Sequence, residues 1–232
     1  MVAAAKVGDE REVVYDEERW RLFRTLRERA RQIMEVLREF DPIVHGSVAR
    51  GDVDKNSDID VFISQVVPSY KVELILQREF GIQRRELVMA TPWQLPKAHV
   101  YVDERCSITF PMVKPKQLEL EFYYFGGAAD LPAVEEGRRV PGVDKRLMLI
   151  LPTPRGHVES SIIGRESEVA RELGVSIEIV RERVQVLSRR AEIGHTGLFV
   201  RRELGPTESF EEVFKSEILE NPAARLRLKA EG

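Results

Sequence analysis

The chain has few of the residues that build disulfide-linked or zinc-linked folds. Its 232 residues include one cysteine, Cys106, and four widely spaced histidines. A single cysteine excludes an intramolecular disulfide framework, and no cysteines or histidines stand at the spacing of zinc ligands. Cys106 alternates with apolar residues, which predicts a small core residue. A lone cysteine also fits a cytoplasmic protein.

Long apolar runs and an excess of one charge are also missing. No segment approaches the roughly 18 apolar residues of a spanning helix, and residues 1–15 lack the apolar core of a signal peptide. We therefore predict no membrane partner. Lys and Arg number 36 against 39 Asp and Glu, a net charge of -3. This balance excludes an overall nucleic-acid-binding character, so any such contact depends on a local patch.

Hydrophobic periodicity predicts both helices and strands. Apolar residues recur at three- and four-residue steps in some segments and alternate with polar residues in others. This pattern indicates an α+β fold, with a mixed or antiparallel sheet flanked by helices. The predicted elements are helices at 16–40 and 69–80, and strands at 43–44, 59–63, 86–89, 99–110 and 117–125.

The residue pattern of the sequence changes near Pro152, and the prolines and glycines there predict a domain boundary. We predict a first domain at 1–152, a helix-turn-helix-like module at 153–205 and a helical tail at 206–232. In the module, two short apolar helical faces surround Gly174, and GHTG at 194–197 is typical of a hairpin tip that would form a wing. In the tail, Ser209 and Glu212 form a capping box ahead of a final helix.

A helix-turn-helix reads DNA through the N-terminal part of its second helix. Arg181, Arg183 and Gln185 are the candidate nucleic-acid contacts on that helix. Such modules also serve in protein interaction and dimerisation. The sequence is compatible with a monomer and with an oligomer.

The stretch HGSVARGDVDKNSDIDVFIS, residues 45–64, carries the strongest chemical signal. Strand alternation puts Asp58 and Asp60 on one face, where a divalent cation such as Mg²⁺ would neutralise them. Gly46 and Ser47 would bind phosphate through backbone N–H groups and a hydroxyl, and Arg50 would reach the same phosphates. The other interpretation is that Asp58 caps a turn.

Two further aspartates stand in the same stretch, Asp52 and Asp54. Both belong to the loop between the glycine turn and the strand. We interpret them as turn and solvent residues and not as metal ligands.

Gly46-Ser47 followed by Asp58-Ile59-Asp60-Val61 resembles the signature of the polymerase-beta-type nucleotidyltransferase superfamily. That superfamily includes CCA-adding enzymes, poly(A) polymerases and aminoglycoside nucleotidyltransferases. GSVARG and SDIDVFI particularly resemble the CCA-adding enzymes and minimal nucleotidyltransferases of archaea. The clear resemblance covers about residues 43–64, and the 166–204 segment resembles an archaeal winged helix-turn-helix.

The resemblance implies a two-metal mechanism with two Mg²⁺ ions, for which Mn²⁺ can substitute. It also implies a third carboxylate on a later strand. In QLELEFYYF, residues 117–125, Glu121 is our choice for a catalytic and metal-binding residue beside Asp58 and Asp60. Glu119 is the alternative, and Asp103 is a weaker one.

The implied function is a metal-dependent nucleotidyltransferase that transfers a nucleoside monophosphate from an NTP to a hydroxyl acceptor and releases pyrophosphate. The acceptor would be nucleic acid, protein or a small molecule. The alternative is a DNA-binding transcriptional regulator whose nucleotidyltransferase fold senses nucleotide or is inactive.

Overall fold

The structure is a computed structural model and describes residues 10–193 and 197–222. Strands alternate with helices in an irregular order, which confirms the predicted α+β class. The strands are β1 (Arg11–Val14), β2 (Ile43–His45), β3 (Ile59–Phe62), β4 (Arg84–Met89), β5 (Lys97–Asp103), β6 (Cys106–Pro111), β7 (Ala128–Asp130), β8 (Gly142–Val143), β9 (Met148–Thr153), β10 (Gly156–Ser161) and β11 (Val200–Glu203). The helices are α1 (Glu17–Val36), α2 (Ser47–Arg50), α3 (Ser69–Glu79), α4 (Gln117–Phe125), α5 (Leu131–Glu135), α6 (Glu166–Leu173), α7 (Ile177–Ile193) and α8 (Phe210–Phe214).

A seven-stranded sheet forms the centre of the main core, in the order β11-β4-β5-β6-β3-β2-β7. Its neighbouring strands pair antiparallel, except that β3 and β6 are parallel. One face of the sheet packs against apolar side chains of α1, α3 and α8 in a single cluster of buried residues. The opposite face carries many polar side chains, and this asymmetry is what positions the site described below.

Helix α1 confirms the predicted N-terminal amphipathic helix. Asp16 caps it by accepting a hydrogen bond from the Arg19 N–H at 2.8 Å. Phe23, Ile33 and Met34 on its inner face are buried in the main core. A short 3₁₀ turn, Arg38–Phe40, then ends the helical segment ahead of Pro42.

The predicted strand at 117–125 is wrong, because these residues form helix α4. Gln, Leu and Glu are strong helix formers. The Glu119 carboxylate also accepts a hydrogen bond from the Lys116 N–H at 2.7 Å, which helps to cap the helix start. In this segment, local propensity and capping prevail over an apparent two-residue alternation.

A second, antiparallel sheet has the order β1-β10-β9-β8 and packs against α6 and α7. Helices α6 and α7 lie on either side of a turn at Gly174, whose φ is +65°, and their assignment to a helix-turn-helix module stays a prediction. The predicted boundary at residue 152 falls within the β9–β10 hairpin, and the division of the chain into domains stays a prediction.

The predicted wing around GHTG stays a prediction. Part of its tip, residues 194–196, lies outside the described residues. The strand that follows, β11, pairs antiparallel with β4 at the edge of the large sheet, with Val200 opposite Met89. The predicted module at 153–205 therefore contributes strands to both sheets.

The C-terminal segment forms the predicted capped helix, because the Ser209 hydroxyl accepts from the Glu212 N–H at 3.2 Å. It is not a peripheral tail, however. Phe210 is completely buried, and its ring lies 5.7 Å from that of Phe110 in an edge-on contact. In the described part of the chain, no helix combines the length and the apolar character needed to cross a membrane.

Phe210→Ala is expected to lower the free energy of unfolding by about 3–5 kcal/mol, because it leaves a cavity in the main core. Urea unfolding of the full chain would measure this. Phe199→Ala is the matched control, since Phe199 is 37% exposed and its loss should cost about 0.5 kcal/mol or less. Equal effects of the two substitutions would contradict the placement of α8 in the core.

Candidate active site

The two aspartates of the DID motif lie at the start of β3, with Asp60 in the strand and Asp58 one residue before it. Ile59 and Val61 are buried in the main core, so the alternation of β3 turns Asp58 and Asp60 to the other side. Asp58 is exposed and Asp60 is half-buried. The prediction that both carboxylates share one face is consistent with this burial pattern.

The two carboxylates are close enough for the charge of Asp60 to affect the pKa of Asp58. Partial burial, and then the neighbouring Asp60 charge, raise the pKa of Asp58 above its ordinary value. Lys145 and Arg105 oppose this shift. The pair is thus a site of concentrated negative charge, to which a cation would bind favourably.

Gly46 has a backbone conformation that only glycine adopts readily, with φ +79° and ψ -146°. A Cβ at this position would contact nothing within 4 Å, so the space above the backbone is open. Ser47 begins the short helix α2, and its hydroxyl donates a hydrogen bond to Ser57 Oγ at 3.1 Å. An open glycine turn beside a hydroxyl is compatible with the close approach of a phosphate.

Arg50 lies differently from the prediction. Its guanidinium donates two hydrogen bonds of 3.0 Å to the Asp52 carboxylate and a third to the Gly126 carbonyl. Both side chains of this ion pair are more than 90% buried. The interpretation of Asp52 as a solvent residue is therefore wrong, and the placement of Arg50 supports a structural role in place of phosphate contact. Asp54 is exposed and accepts from the Asn56 N–H, as expected of a turn residue.

Glu121 and Glu119 do not join the aspartate pair. Among the described residues, no three Asp, Glu, His or Cys side chains form a group that would hold a metal ion. Glu121 instead accepts hydrogen bonds from the Ser176 hydroxyl and from the Ser176 N–H, the latter at 3.2 Å. Burial raises the pKa of Glu121, but the bonds from Ser176 and Gln117 outweigh burial and hold it below its ordinary value.

These contacts do not support the prediction of a third metal-binding carboxylate on α4. Glu121 connects α4 to the start of α7, and Glu119 helps to cap α4 itself. Asp103, the weaker alternative, accepts from the Arg105 N–H at 2.9 Å and pairs with Arg29. Each candidate thus has a structural partner of its own.

Several residues of the polar face escaped the sequence analysis. Ser107 lies opposite Asp60 in the β3–β6 ladder and donates a hydrogen bond to its Oδ1 at 2.9 Å. His45 lies opposite Asp60 on the other side, in β2. Lys97 points to the same face from β5, whose apolar residues alternate into the core. In KAHVYVD, residues 97–103, apolar and polar residues alternate, and this pattern indicates which side chains share the polar face. The sequence analysis used the alternation only to predict a strand.

An aromatic cluster borders the aspartate pair. Tyr123 of α4 is buried and stacks on Phe62 with ring centroids 3.6 Å apart, and His45 lies edge-on to Tyr123 at 4.9 Å. Burial lowers the pKa of His45 to about 4, although Asp60 opposes the shift, so the imidazole is neutral at neutral pH. Cys106 is buried in the core as predicted, and burial raises the pKa of its thiol.

The candidate nucleic-acid contacts on α7 fall into two groups. Arg181 and Gln185 are exposed and accessible to a partner. Arg183 is only 9% exposed, and its guanidinium lies 5.1 Å from the centre of the Phe122 ring. The prediction that Arg183 contacts nucleic acid is therefore not supported by its position, because it packs between α7 and α4.

Asp58 and Asp60 are the two carboxylates that the polar face would offer to a divalent cation. Mg²⁺ commonly uses one or two carboxylates and completes its coordination with water and substrate phosphates. Asp58 and Asp60 meet that need. On the neighbouring strand β6, the residue opposite Asp60 is Ser107, which offers a hydroxyl.

One comparison with known proteins bears on this site. Residues 24–106 match a family model described as a nucleotidyltransferase domain. The match includes both aspartates and the glycine turn, and it supports the polymerase-beta-type superfamily and a general nucleotidyltransferase function. Searches of curated proteins and of solved structures gave no match.

Asp58→Asn is expected to raise the melting temperature near pH 7 in the absence of divalent cations. The raised pKa means that ionised Asp58 costs stability, and this cost disappears as the pH falls through the pKa of Asp58 in the folded protein. The gap between the variant and the wild type should therefore close on acidification. Thermal unfolding between about pH 7 and pH 4 would measure it.

Glu104→Gln is the matched control for this experiment, because Glu104 is an exposed residue in the β5–β6 turn. It should show no gap that closes in the same pH range. A lower melting temperature for Asp58→Asn near pH 7 would contradict the repulsion between the two aspartates.

Glu121→Ala and Ser176→Ala are each expected to reduce the free energy of unfolding by about 1–2 kcal/mol, since each removes a hydrogen bond to a charged group. The double variant should lose less than the sum of the two single losses, by about 1 kcal/mol. Denaturant titration of the four proteins completes the cycle. Strict additivity would show that the bond between α4 and α7 does not stabilise the chain.

Proposed function

We propose that the protein is a metal-dependent nucleotidyltransferase that transfers a nucleoside monophosphate from an NTP to a hydroxyl acceptor. The observation that carries this proposal is the position of Asp58 and Asp60 on one polar face, inside the segment that matches a nucleotidyltransferase domain. In the reaction, the acceptor oxygen forms a bond to the α-phosphorus. The bond from that phosphorus to the bridging oxygen breaks, pyrophosphate leaves with the electron pair, and the hydroxyl proton passes to solvent.

The residues have distinct roles in this proposal. Asp58 and Asp60 would hold Mg²⁺, or Mn²⁺ in its place, together with substrate phosphates. Such an ion, when bound, neutralises phosphate charge and favours the in-line displacement. Ser107 keeps the Asp60 carboxylate oriented through its hydrogen bond, and Gly46 with Ser47 gives the triphosphate close access to the backbone.

The proposed hydroxyl acceptor of the reaction is a nucleic acid. Exposed Arg181 and Gln185 on α7 favour a nucleic acid that is bound by the helical module. The alternative function, a DNA-binding regulator, is not favoured. The match of residues 24–106 to a nucleotidyltransferase domain supports the enzyme function instead.

Asp58→Asn and Asp60→Asn are each expected to reduce nucleotide transfer by roughly 100-fold or more, because loss of a metal ligand removes several kcal/mol of transition-state stabilisation. The measurement uses α-labelled NTPs with Mg²⁺ or Mn²⁺ against RNA, DNA, protein and small hydroxyl acceptors. Asp54→Asn is the matched control, since Asp54 is an exposed turn residue of the same loop.

Two outcomes of this assay would change the proposal. If the wild type transfers no more label than Asp60→Asn to any acceptor, the enzyme function is wrong. Glu121→Gln should keep most of the activity. A loss as large as that of Asp60→Asn would return Glu121 to the catalytic role that the sequence predicted.

A further inference from the structure

The order of the strands indicates the direction from which an acceptor would reach the aspartates. In the large sheet, β3 lies between β2 and β6, so Asp60 has His45 on one side and Ser107 on the other. The Gly46–Ser47 turn follows β2, and the proposed triphosphate would lie on that side. In-line displacement puts the attacking and leaving oxygens on opposite sides of the phosphorus, so the acceptor would enter across β6.

One row of side chains leads away from Asp60 in that direction. Ser107 of β6 lies opposite Asp60 and donates a hydrogen bond to its carboxylate at 2.9 Å. Tyr101 of β5 lies opposite Ser107, and Arg84 of β4 lies opposite Tyr101. Tyr101 is therefore two strands from Asp60, about 10 Å along the sheet at the ordinary spacing of strands. One nucleotide can bridge that span.

Tyr101 and Arg84 form a pair of the kind on which nucleobases stack. Ala98 and Val100 of β5 are buried in the main core, so the alternation of the strand turns His99 and Tyr101 to the polar face. The Arg84 guanidinium carbon lies 4.0 Å from the centre of the Tyr101 ring, and the His99 ring runs nearly parallel to that ring at 6.3 Å. Aromatic rings and guanidinium planes are the groups on which unpaired bases stack.

A buried carboxylate holds this pair in position. Glu86 of β4 is buried and accepts a hydrogen bond from the Tyr101 hydroxyl at 3.3 Å. Its Oε1 lies 3.2 Å from a nitrogen of Arg84 and 3.0 Å from one of Arg201. The two guanidiniums carry more N–H donors than one carboxylate can accept. The side chains of Arg84 and Arg201 are still 36% and 57% exposed, so a ligand can reach them.

The charges on this face favour stacking over contact with many phosphates. Glu203 of β11 lies opposite Glu86 in the sheet and is exposed. Arg84 and Arg201 are thus matched by two carboxylates, whereas a duplex is bound mainly through an excess of positive charge. An unpaired base needs planar groups on which to stack, and the Tyr101–Arg84 pair supplies them. This combination fits a single-stranded end better than a duplex.

We propose that Tyr101 and Arg84 bind the terminal base of a single-stranded nucleic-acid acceptor and direct its 3′ hydroxyl towards Asp60. The inference rests on the proposed nucleotidyltransferase function and identifies the part of the acceptor that the site recognises. The oxygen of that hydroxyl forms the bond to the α-phosphorus, pyrophosphate leaves with the electron pair of the broken bond, and the hydroxyl proton passes to solvent.

The test uses the full chain and short single-stranded RNA and DNA that carry 2-aminopurine, either at the 3′ terminus or at an internal position. Binding of RNA or DNA to the wild type should change the fluorescence of the terminal 2-aminopurine, because stacking alters its emission. Tyr101→Ala should weaken binding by roughly 5- to 100-fold, the effect of losing one base stack, and should abolish the terminal signal. Tyr101→Phe should keep both, since the ring remains.

Tyr70→Ala is the matched control, because Tyr70 is an exposed tyrosine of α3, a helix that packs on the core side of the sheet. It should leave oligonucleotide binding unchanged. Arg84→Met should lower the affinity, and melting temperatures would verify that each variant is folded. In transfer assays with α-labelled NTPs, Tyr101→Ala should raise the KM for the oligonucleotide and leave the KM for the NTP unchanged. A purely structural role would alter both constants.

The outcomes separate this inference from the proposed function. Equal affinity of Tyr101→Ala and the wild type, a signal from the internal 2-aminopurine alone, or tighter binding of a duplex would overturn the terminal-base site and leave the function standing. Tyr101-dependent binding of a single strand without transfer from any NTP would overturn the function alone. If the wild type binds no oligonucleotide, the inference is wrong; if it also labels no hydroxyl acceptor, both are wrong.

Discussion

The burial of Ile59 and Val61 in the main core orients the whole site. These two side chains fix which face of β3 is apolar, and the strand period then places Asp58 and Asp60 on the other face. The parallel pairing with β6 adds Ser107, and the antiparallel pairing with β2 adds His45. A slip of one residue in this register would bury the carboxylates and expose the core, so the site is specified by the same interactions that stabilise the sheet.

Helix α4 connects that sheet to the rest of the molecule. Tyr123 stacks on Phe62 beside the aspartates, whereas Phe125 belongs to the second core with α6 and α7. Glu121 and Phe122 contact Ser176 and Arg183 of α7. A single helix therefore touches both the polar face of the site and the helical module.

The sequence predicted the parts of the fold in which pattern and local propensity agree. The amphipathic α1, the strands around the aspartates and the capped α8 are of this kind. Residues 117–125 were assigned wrongly because the alternation and the helix propensity of the same residues point to different structures. The mistaken third carboxylate followed directly from that assignment.

Other features of the site depend on contacts between distant segments, which periodicity does not report. The pairing of Arg50 with Asp52 and Gly126, and the position of Ser107 beside Asp60, arise only when the strands assemble. The same holds for β11, whose partner β4 precedes it by more than a hundred residues. Strand alternation identified which residues share a face, but it did not identify the neighbouring strand.

The return of β11 to the large sheet means that the chain is interleaved. The helices α6 and α7 stand between β10 of the small sheet and β11 of the large one, so the helical module is an insertion held at both ends. Cutting the chain near residue 152 or residue 205 would not release an independent half. A cut near 152 would leave β4 as an unpaired edge, and an open edge of this kind favours association with other chains. The large sheet and the helical module are therefore expected to fold as one unit.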